Sequence, residues 1–124
     1  MIEQWLEAVC SQAGWEKPWK NSRGKYRFRL EPDWVVDVWA PDERTLRLES
    51  RVAILEGQEG EAFLRKAAVA VLPRVFKDGA TLALTPDKTG LILHRTVTLG
   101  ALRASDFSGI MENFLNDLGF YKSL

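Results

Sequence analysis

The side chains with intrinsic chemical reactivity are few in this sequence, which has one cysteine, Cys10, and one histidine, His94. A thiol–imidazole pair can act as a nucleophile, but only when the two groups are in hydrogen-bond contact. Cys10 falls in the apolar stripe of a helical pattern, whereas His94 alternates with Ile92 and Thr96 along a strand pattern. No spacing brings the two together. The pattern therefore favours a buried core thiol and an imidazole on a sheet surface.

Metal and phosphate sites have no signature in the sequence. There is no C-x-x-C, H-x-x-x-H or Asp-rich loop, and Asp37, Asp42 and Glu43 are scattered in and around turns. Gly57 and Gly60 precede a helix, but no lysine follows them at the spacing of a phosphate-binding loop. We therefore expect no metal site, no cofactor and no enzymatic activity. A small enzyme that uses Cys10 or His94 remains the alternative.

Length and charge limit the class of protein. The 124 residues suit one domain, 1–124, and 17 basic residues balance 17 acidic ones. A net charge of zero argues against nucleic-acid binding, which needs a clustered positive field. A single cysteine excludes an internal disulfide, and no run approaches the ~20 apolar residues of a membrane span. We expect a soluble cytoplasmic protein without a membrane partner.

Hydrophobic periodicity predicts three helices and five strands. The strands alternate cleanly, as in "KYRFRL", where Tyr26, Phe28 and Leu30 share one face. Short turns between neighbouring strands indicate antiparallel pairing, so the predicted class is α+β, a two-layer fold with an antiparallel five-stranded sheet. The predicted order is α-β-β-β-α-β-β-α: helix 2–13, strands 25–30, 34–40 and 45–55, helix 59–75, strands 81–85 and 90–99, and a helix from Ser105 that ends at Gly119.

The second helix is apolar on nearly every side. In residues 60–76 only Glu61, Arg65, Lys66 and Arg74 interrupt the apolar residues, and a helix of this kind must be covered all round. One sheet and two further helices supply too little material for that. The economical solution is a second copy of the same helix across a two-fold axis. A helix that is simply central in a monomer is the alternative.

The five tryptophans are the other unusual feature. Trp5 belongs to the first helical stripe, and Trp15 and Trp19 lie in a polar connector. Trp34 and Trp39 point to opposite faces of one predicted strand, so at least one of them should face solvent or a partner. Large aromatic side chains at a surface are enriched in interfaces, and we expect this role for Trp39.

The whole chain resembles the class I chaperones of type III secretion, including the Tir-chaperone group. The most suggestive segments are the apolar "FLRKAAVAVL" helix and "LILHRTVTLGALRASDFSGIMENFLNDL", a long strand that leads into an amphipathic helix. The resemblance implies a homodimer through the second helix. It places dimer candidates at Leu64, Ala68, Val71, Leu72 and Val75, and candidates for partner binding at Trp5, Val9, Tyr26, Phe28, Trp34 and Trp39.

The resemblance also implies a function without catalysis. Such chaperones bind the N-terminal segment of a secreted effector, keep it extended for export, and use grooves and an added strand to do so. The expected partners are thus a second copy of the chain and an effector. A regulator of the same fold without a secretion role, of the YbjN type, would give a similar pattern and is the alternative.

Overall fold

The structure is a computed structural model that describes residues 2–30, 33–74, 79–100 and 102–124. Within these residues the helices are α1 (Ile2–Ala13), α2 (Gly57–Val71) and α3 (Ala104–Lys122), with a 3₁₀ turn at Leu72–Arg74. The strands are β1 (Trp19–Lys20), β2 (Tyr26–Leu30), β3 (Trp34–Trp39), β4 (Thr45–Ile54), β5 (Thr81–Leu84) and β6 (Gly90–Thr98).

The strands form one antiparallel sheet in the order β1-β2-β3-β4-β6-β5. The predicted α+β class and element order are confirmed, but the prediction of five strands missed β1. This two-residue strand pairs Trp19 with Arg27 and Lys20 with Tyr26. Pro18 is compatible with a strand start at a sheet edge, where its missing N–H is not needed.

One face of the sheet, called here the inner face, carries the hydrophobic core. Side chains of β2, β3, β4 and β6 pack there against the buried stripes of α1 and α3 and against Ala67 of α2. Ser50 is the buried polar residue on this face, and its Oγ donates to the Val35 carbonyl at 2.6 Å. The β4–β6 register shifts between Arg51 and Ala53, next to the Ser50 position where the sequence indicated an irregularity.

Two helix ends differ from the sequence-based prediction. α2 ends at Val71, and Pro73 lies in the 3₁₀ turn that follows, because proline cannot supply the helical N–H. The predicted continuation to Val75 is wrong for residues 72–74, and Val75 itself lies outside the described residues.

The predicted end of α3 at Gly119 is also wrong, since the helix continues to Lys122. A Cβ at this position would lie 3.2 Å from Cη2 of Trp34. Gly119 is therefore suited to the close approach of α3 to the indole of Trp34, and does not serve as a helix stop.

Candidate partner-binding surfaces

The two reactive side chains lie on opposite faces of the sheet. Cys10 is buried in the α1 core stripe, and burial together with Glu7 raises the pKa of its thiol. His94 lies on the outer face, paired with Glu49 across β4 and β6. Burial and the charge of Arg47 lower the pKa of the imidazole, against an opposing contribution from Glu49. The two groups do not form a thiol–imidazole pair.

Two further observations bear on chemistry and location. In the described ranges, no three side chains of the His, Cys, Asp and Glu types come together as metal ligands. Across the same ranges, no helix has the length and apolar character needed to cross a membrane. The carboxylate of Asp42 stabilises its own turn, where it accepts hydrogen bonds from the Arg44 N–H and from the N–H and hydroxyl of Thr45.

The first surface that could bind a partner is the outward side of α2, defined here by Ala68, Val69 and Leu72. Val69 is 70% exposed and Leu72 is 64% exposed, and both lie on the side of the helix turned away from Ala67. Of the predicted dimer residues, Ala68 and Leu72 are exposed, whereas Leu64 and Val71 are half-buried against their own core. Val69, the most exposed apolar residue of the helix, was not among the candidates.

The second surface is a groove of about 510 Å³ beside the last residues of β2. It is lined by Trp15, Leu30 and Trp34, with Arg29 and Asp33 at its polar side. β1 pairs with β2 only as far as Arg27. Beyond that residue no described strand pairs with β2 on this side, and Arg29 and Leu30, the last residues of β2, line the groove without a strand partner there.

A third, mainly apolar groove of about 340 Å³ lies between α1 and α3. Val9, Trp15 and Leu115 line it. Val9 is 5% exposed in this groove, and Phe28 is fully buried beneath Trp15, whose ring meets it edge-on at 6.2 Å. In this conformation Phe28 belongs to the core and supports the surface above it.

The remaining partner-binding candidates lie at the margins of the core. Trp5 is half-buried and meets Phe107 edge-on at 6.4 Å. Tyr26 is half-buried and donates its hydroxyl hydrogen bond to Glu3, which raises the pKa of the phenol to about 12. Trp34 packs against α3. Trp5 and Tyr26 therefore extend the inner-face core toward solvent near α1, and Trp34 extends it near α3.

The outer face of the sheet carries a different kind of surface. Trp39 lies there, opposite in direction to Trp34, as the alternation predicted, and the Lys25 Nζ lies 3.9 Å from the centre of its ring. Next to it Arg27 donates two hydrogen bonds to Asp37, at 2.8 and 3.0 Å. The hydrogen bonding of Arg27 to the Asp37 carboxylate, which accepts, is the largest cause of the raised pKa of the Arg27 guanidinium.

Comparison with known proteins places this arrangement in a family. The model of the Tir chaperone protein (CesT) family matches residues 6–120, which is nearly the entire chain. The chain belongs to the CesT family. The family resemblance inferred from the sequence is thereby confirmed. A search of curated proteins finds no match to this CesT-family chain.

Solved structures share the fold of this CesT-family chain at low sequence identity. The type III secretion chaperone SycH of Yersinia pestis, solved with a stable fragment of YscM2, is 17% identical, with a TM-score of 0.65 over 98% of this chain and 99% of that one. The HopA1–SchA chaperone–effector complex gives 11% identity and a TM-score of 0.74 over 99% and 94%. YbjN of E. coli, a putative transcription regulator, is 12% identical, with a TM-score of 0.60 over 94% of this chain and 84% of that one.

Sequence reasoning missed parts of the CesT-family surfaces. It placed Lys25, Arg27 and Arg29 outward, but not the ion pair with Asp37 on the next strand. That pairing depends on strand register, which a single strand does not encode. It also assigned Trp19 to an irregular connector, whereas the residue extends the outer face through β1. The signal that could have indicated this face was the shared positive charge of the outward positions of β2 and β4.

Proposed function

We propose that this protein is a type III secretion chaperone that binds the N-terminal segment of an effector and keeps it extended for export, without catalysis. The observation that carries this proposal is the family match over residues 6–120. It is supported by apolar surface that the described chain leaves open on α2 and beside β2. The SycH and SchA structures, which contain bound protein partners, have the same fold.

The proposed chaperone acts as a homodimer through α2. Val69 and Leu72 each expose most of their surface, and complete burial of side chains of this size contributes roughly 1.5–3 kcal/mol each. A second α2 across a two-fold axis would cover both copies at once, because such an interface uses the same residues on each side. The exposed Ala68 beside them would allow the two backbones to approach closely. Leu64 and Val71 would border this contact from the core side.

The client segment is proposed to bind beside β2. An extended chain can add to an open strand edge through backbone hydrogen bonds and place alternate side chains in adjacent pockets. The backbone of Arg29 and Leu30 would supply such an edge, and the groove lined by Trp15, Leu30 and Trp34 would supply a pocket. The half-buried Trp5 and Tyr26 extend this surface, together with the Val9 groove between α1 and α3.

The alternative is a regulator of the same fold without a secretion client. The likeness to YbjN supports it at the level of the fold. Such a protein could also dimerise, so the oligomeric state does not separate the two functions. Only binding of an effector does.

The test is co-purification with the effector encoded by a neighbouring gene. The tagged chain is co-expressed with the full effector, with the effector lacking its N-terminal segment, and with that segment alone. We expect the full effector and the isolated segment to co-purify, and the truncated effector to be absent. A Trp15→Ala/Trp34→Ala variant, checked for folding by circular dichroism, should bind the segment more weakly because the groove loses two of its aromatic walls.

Two results would contradict the proposal. Equal binding of the truncated effector would show that the N-terminal segment is not the recognised part. Binding of no effector by a well-folded dimer would favour the regulator. A Lys66→Ala/Lys88→Ala variant, changed at two exposed positions away from the groove, is the matched control and should bind like the unchanged protein.

A further inference from the structure

The outer face of the sheet is left uncovered by the described helices. The core cluster contains the buried residues of all three helices together with inner-face strand residues, and the outer-face aromatic and charged residues do not belong to it. Strand register arranges the outer face in rows. The central row runs Trp19, Arg27, Asp37, Glu49, His94 and Thr81 across all six strands.

This face concentrates positive charge in a chain whose net charge is zero. Five of its side chains are cationic and three are carboxylates: Lys25, Arg27, Arg29, Arg47 and Arg51 against Asp33, Asp37 and Glu49. Two of the three carboxylates are already engaged within the sheet. Asp37 accepts the two hydrogen bonds from Arg27, and Glu49 lies 3.7 Å from the Lys25 ammonium group.

Three guanidinium groups on the face, those of Arg29, Arg47 and Arg51, form no ion pair with a carboxylate of the described residues. Arg29 and Arg51 are exposed. Arg47 is half-buried, and its Nε has no hydrogen-bond partner among the described residues. The exposed guanidinium groups of Arg29 and Arg51 therefore have donor capacity that an external acceptor could use.

An apolar strip accompanies these charges. Val35, Ile54 and Ile92 line a groove of about 850 Å³ on the outer face, with Arg51 and Arg27 in the same lining. Val35 is 36% exposed and Ile54 is 59% exposed. The groove thus offers apolar contact and unpaired positive charge side by side.

We propose that the outer face of the sheet binds an acidic segment of the protein client. Arg29, Arg47 and Arg51 would pair with its carboxylates. Val35 and Ile54 would contact apolar side chains between them. This inference rests on the proposed function, because the occupant is part of the client chain, and it assigns that client a second contact of defined chemistry, which adjoins the groove beside β2 through Arg29 and Val35.

A nucleic acid fits the same face less well. Single strands bind basic sheets by stacking bases on free aromatic faces. Here Lys25 already lies 3.9 Å from the centre of the Trp39 ring, and Arg27 and Arg29 lie 5.7 and 5.8 Å from the centre of the Trp19 ring. Asp37 and Glu49 would also repel phosphates from the central row.

The contacts proposed here are solvent-accessible, which determines how they should behave. Exposed charge pairs contribute mainly to orientation and to the rate of association, and salt weakens them. Binding through this face should therefore weaken as ionic strength rises. The apolar contacts with Val35 and Ile54 should leave a part of the affinity that salt does not remove.

The test uses a fluorescent peptide of about ten residues that alternates glutamate with valine, a length that crosses most of such a sheet. The comparison probes are the same peptide with glutamine for glutamate and a thymidine oligonucleotide of similar length. Fluorescence anisotropy is measured at about 50 and 300 mM salt, which spans the range over which surface charges are screened. The variants are R29Q/R47Q/R51Q and, as matched control, R65Q/K66Q/K88Q, which removes three exposed charges elsewhere.

We expect the glutamate peptide to bind and the glutamine peptide to bind at least about tenfold more weakly, the factor that corresponds to about 1.4 kcal/mol. The R29Q/R47Q/R51Q variant should bind the glutamate peptide more weakly than the unchanged protein by a similar factor. The control variant should bind this peptide as tightly as the unchanged protein does. Because Arg47 is half-buried, the R29Q/R51Q variant, with changes only at exposed positions, is measured as well and should lose part of the affinity.

Equal binding of the two peptides, or equal binding by R29Q/R51Q and the unchanged protein, would overturn the inference. Tighter binding of the oligonucleotide would assign the face to nucleic acid instead. A dimer that dissociates in R29Q/R51Q would make the face an interface between copies, which also overturns it. If the effector binds the unchanged protein and the triple variant equally, the inference fails while the chaperone proposal stands. If only the peptide binds, the chaperone proposal fails.

Discussion

Val69 lies in the last turn of the second helix and Leu72 begins the 3₁₀ turn that follows it, and both direct apolar side chains away from the core that their own chain forms. Ala67, two residues before Val69, is buried on the opposite side of the helix. The helix therefore has one apolar side that the chain covers and a second one that it does not. This is the physical basis for proposing a second copy as its partner.

Substitution of both exposed residues tests this directly. V69E/L72E should abolish the dimer, because four carboxylates would be placed in an apolar interface. It should change the free energy of unfolding of the isolated chain by no more than about 0.5 kcal/mol, since both residues are exposed there. Sedimentation velocity measures the mass of the particle, and urea unfolding measures the free energy of unfolding. Glu43→Lys, a charge reversal at an exposed turn position away from α2, is the control and should remain dimeric; dissociation of this control would contradict the assignment of the interface.

Replacement of Gly119 tests the contact between α3 and Trp34. Gly119→Val should reduce the free energy of unfolding by about 1–3 kcal/mol, the usual cost of overpacking, because its Cβ would start 3.2 Å from the indole. Gly109→Val, in the same helix with open space around the Cβ position, should not show this cost. Trp34→Phe in the Gly119→Val background should recover part of the loss. Equal effects at both glycines would mean that the contact is unimportant.

Lys88 provides a test of backbone strain in the turn between β5 and β6. Its φ of 64° lies in the left-handed region that favours glycine. Lys88→Gly should therefore raise the free energy of unfolding by up to about 1 kcal/mol, and Lys88→Val should lower it. Thermal unfolding measures both. Destabilisation by glycine would indicate that the turn does not hold this conformation in solution.

The pKa of His94 reports the electrostatics of the outer face. It should lie below the ordinary value of 6.5, because burial and the charge of Arg47 disfavour the imidazolium. Arg47→Gln should raise the pKa and Glu49→Gln should lower it further. Since the folded chain holds this proton less tightly than the unfolded chain, His94 reduces stability as pH falls from 6.5 through its lower folded value. NMR titration of the ring protons measures the pKa, and a value above 6.5 would contradict the described environment.

The strands were the most predictable part of the fold. Tyr26, Phe28 and Leu30 alternate with charged residues. Because successive side chains of a strand point to opposite faces, only one orientation of the strand buries the apolar residues and leaves the charged ones exposed. Trp34 and Trp39 were assigned to opposite faces for the same reason, and the structure has them there. β1 was missed because a strand of two residues has no period.

The errors in the helices have a common cause, which is that local signals compete with packing. Glycine often ends a helix, but α3 continues past Gly119, where the missing side chain makes room for the indole of Trp34. Val69 was not among the dimer candidates, because the pattern of a helical sequence shows which residues share a side and does not show which side meets the sheet. The positive charge of the outer face was likewise not evident from the net charge of zero, because the counts of basic and acidic residues do not show where these residues lie in the fold.

The account depends most on the claim that two copies of this chain hold the N-terminal segment of an effector. The most direct measurement is the mass of the purified complex by light scattering, after co-expression with the effector encoded nearby. We predict a particle of two chains of this protein and one effector segment, and a particle of two chains when the segment is absent. A monomer at micromolar concentration that recovers no effector would contradict the account.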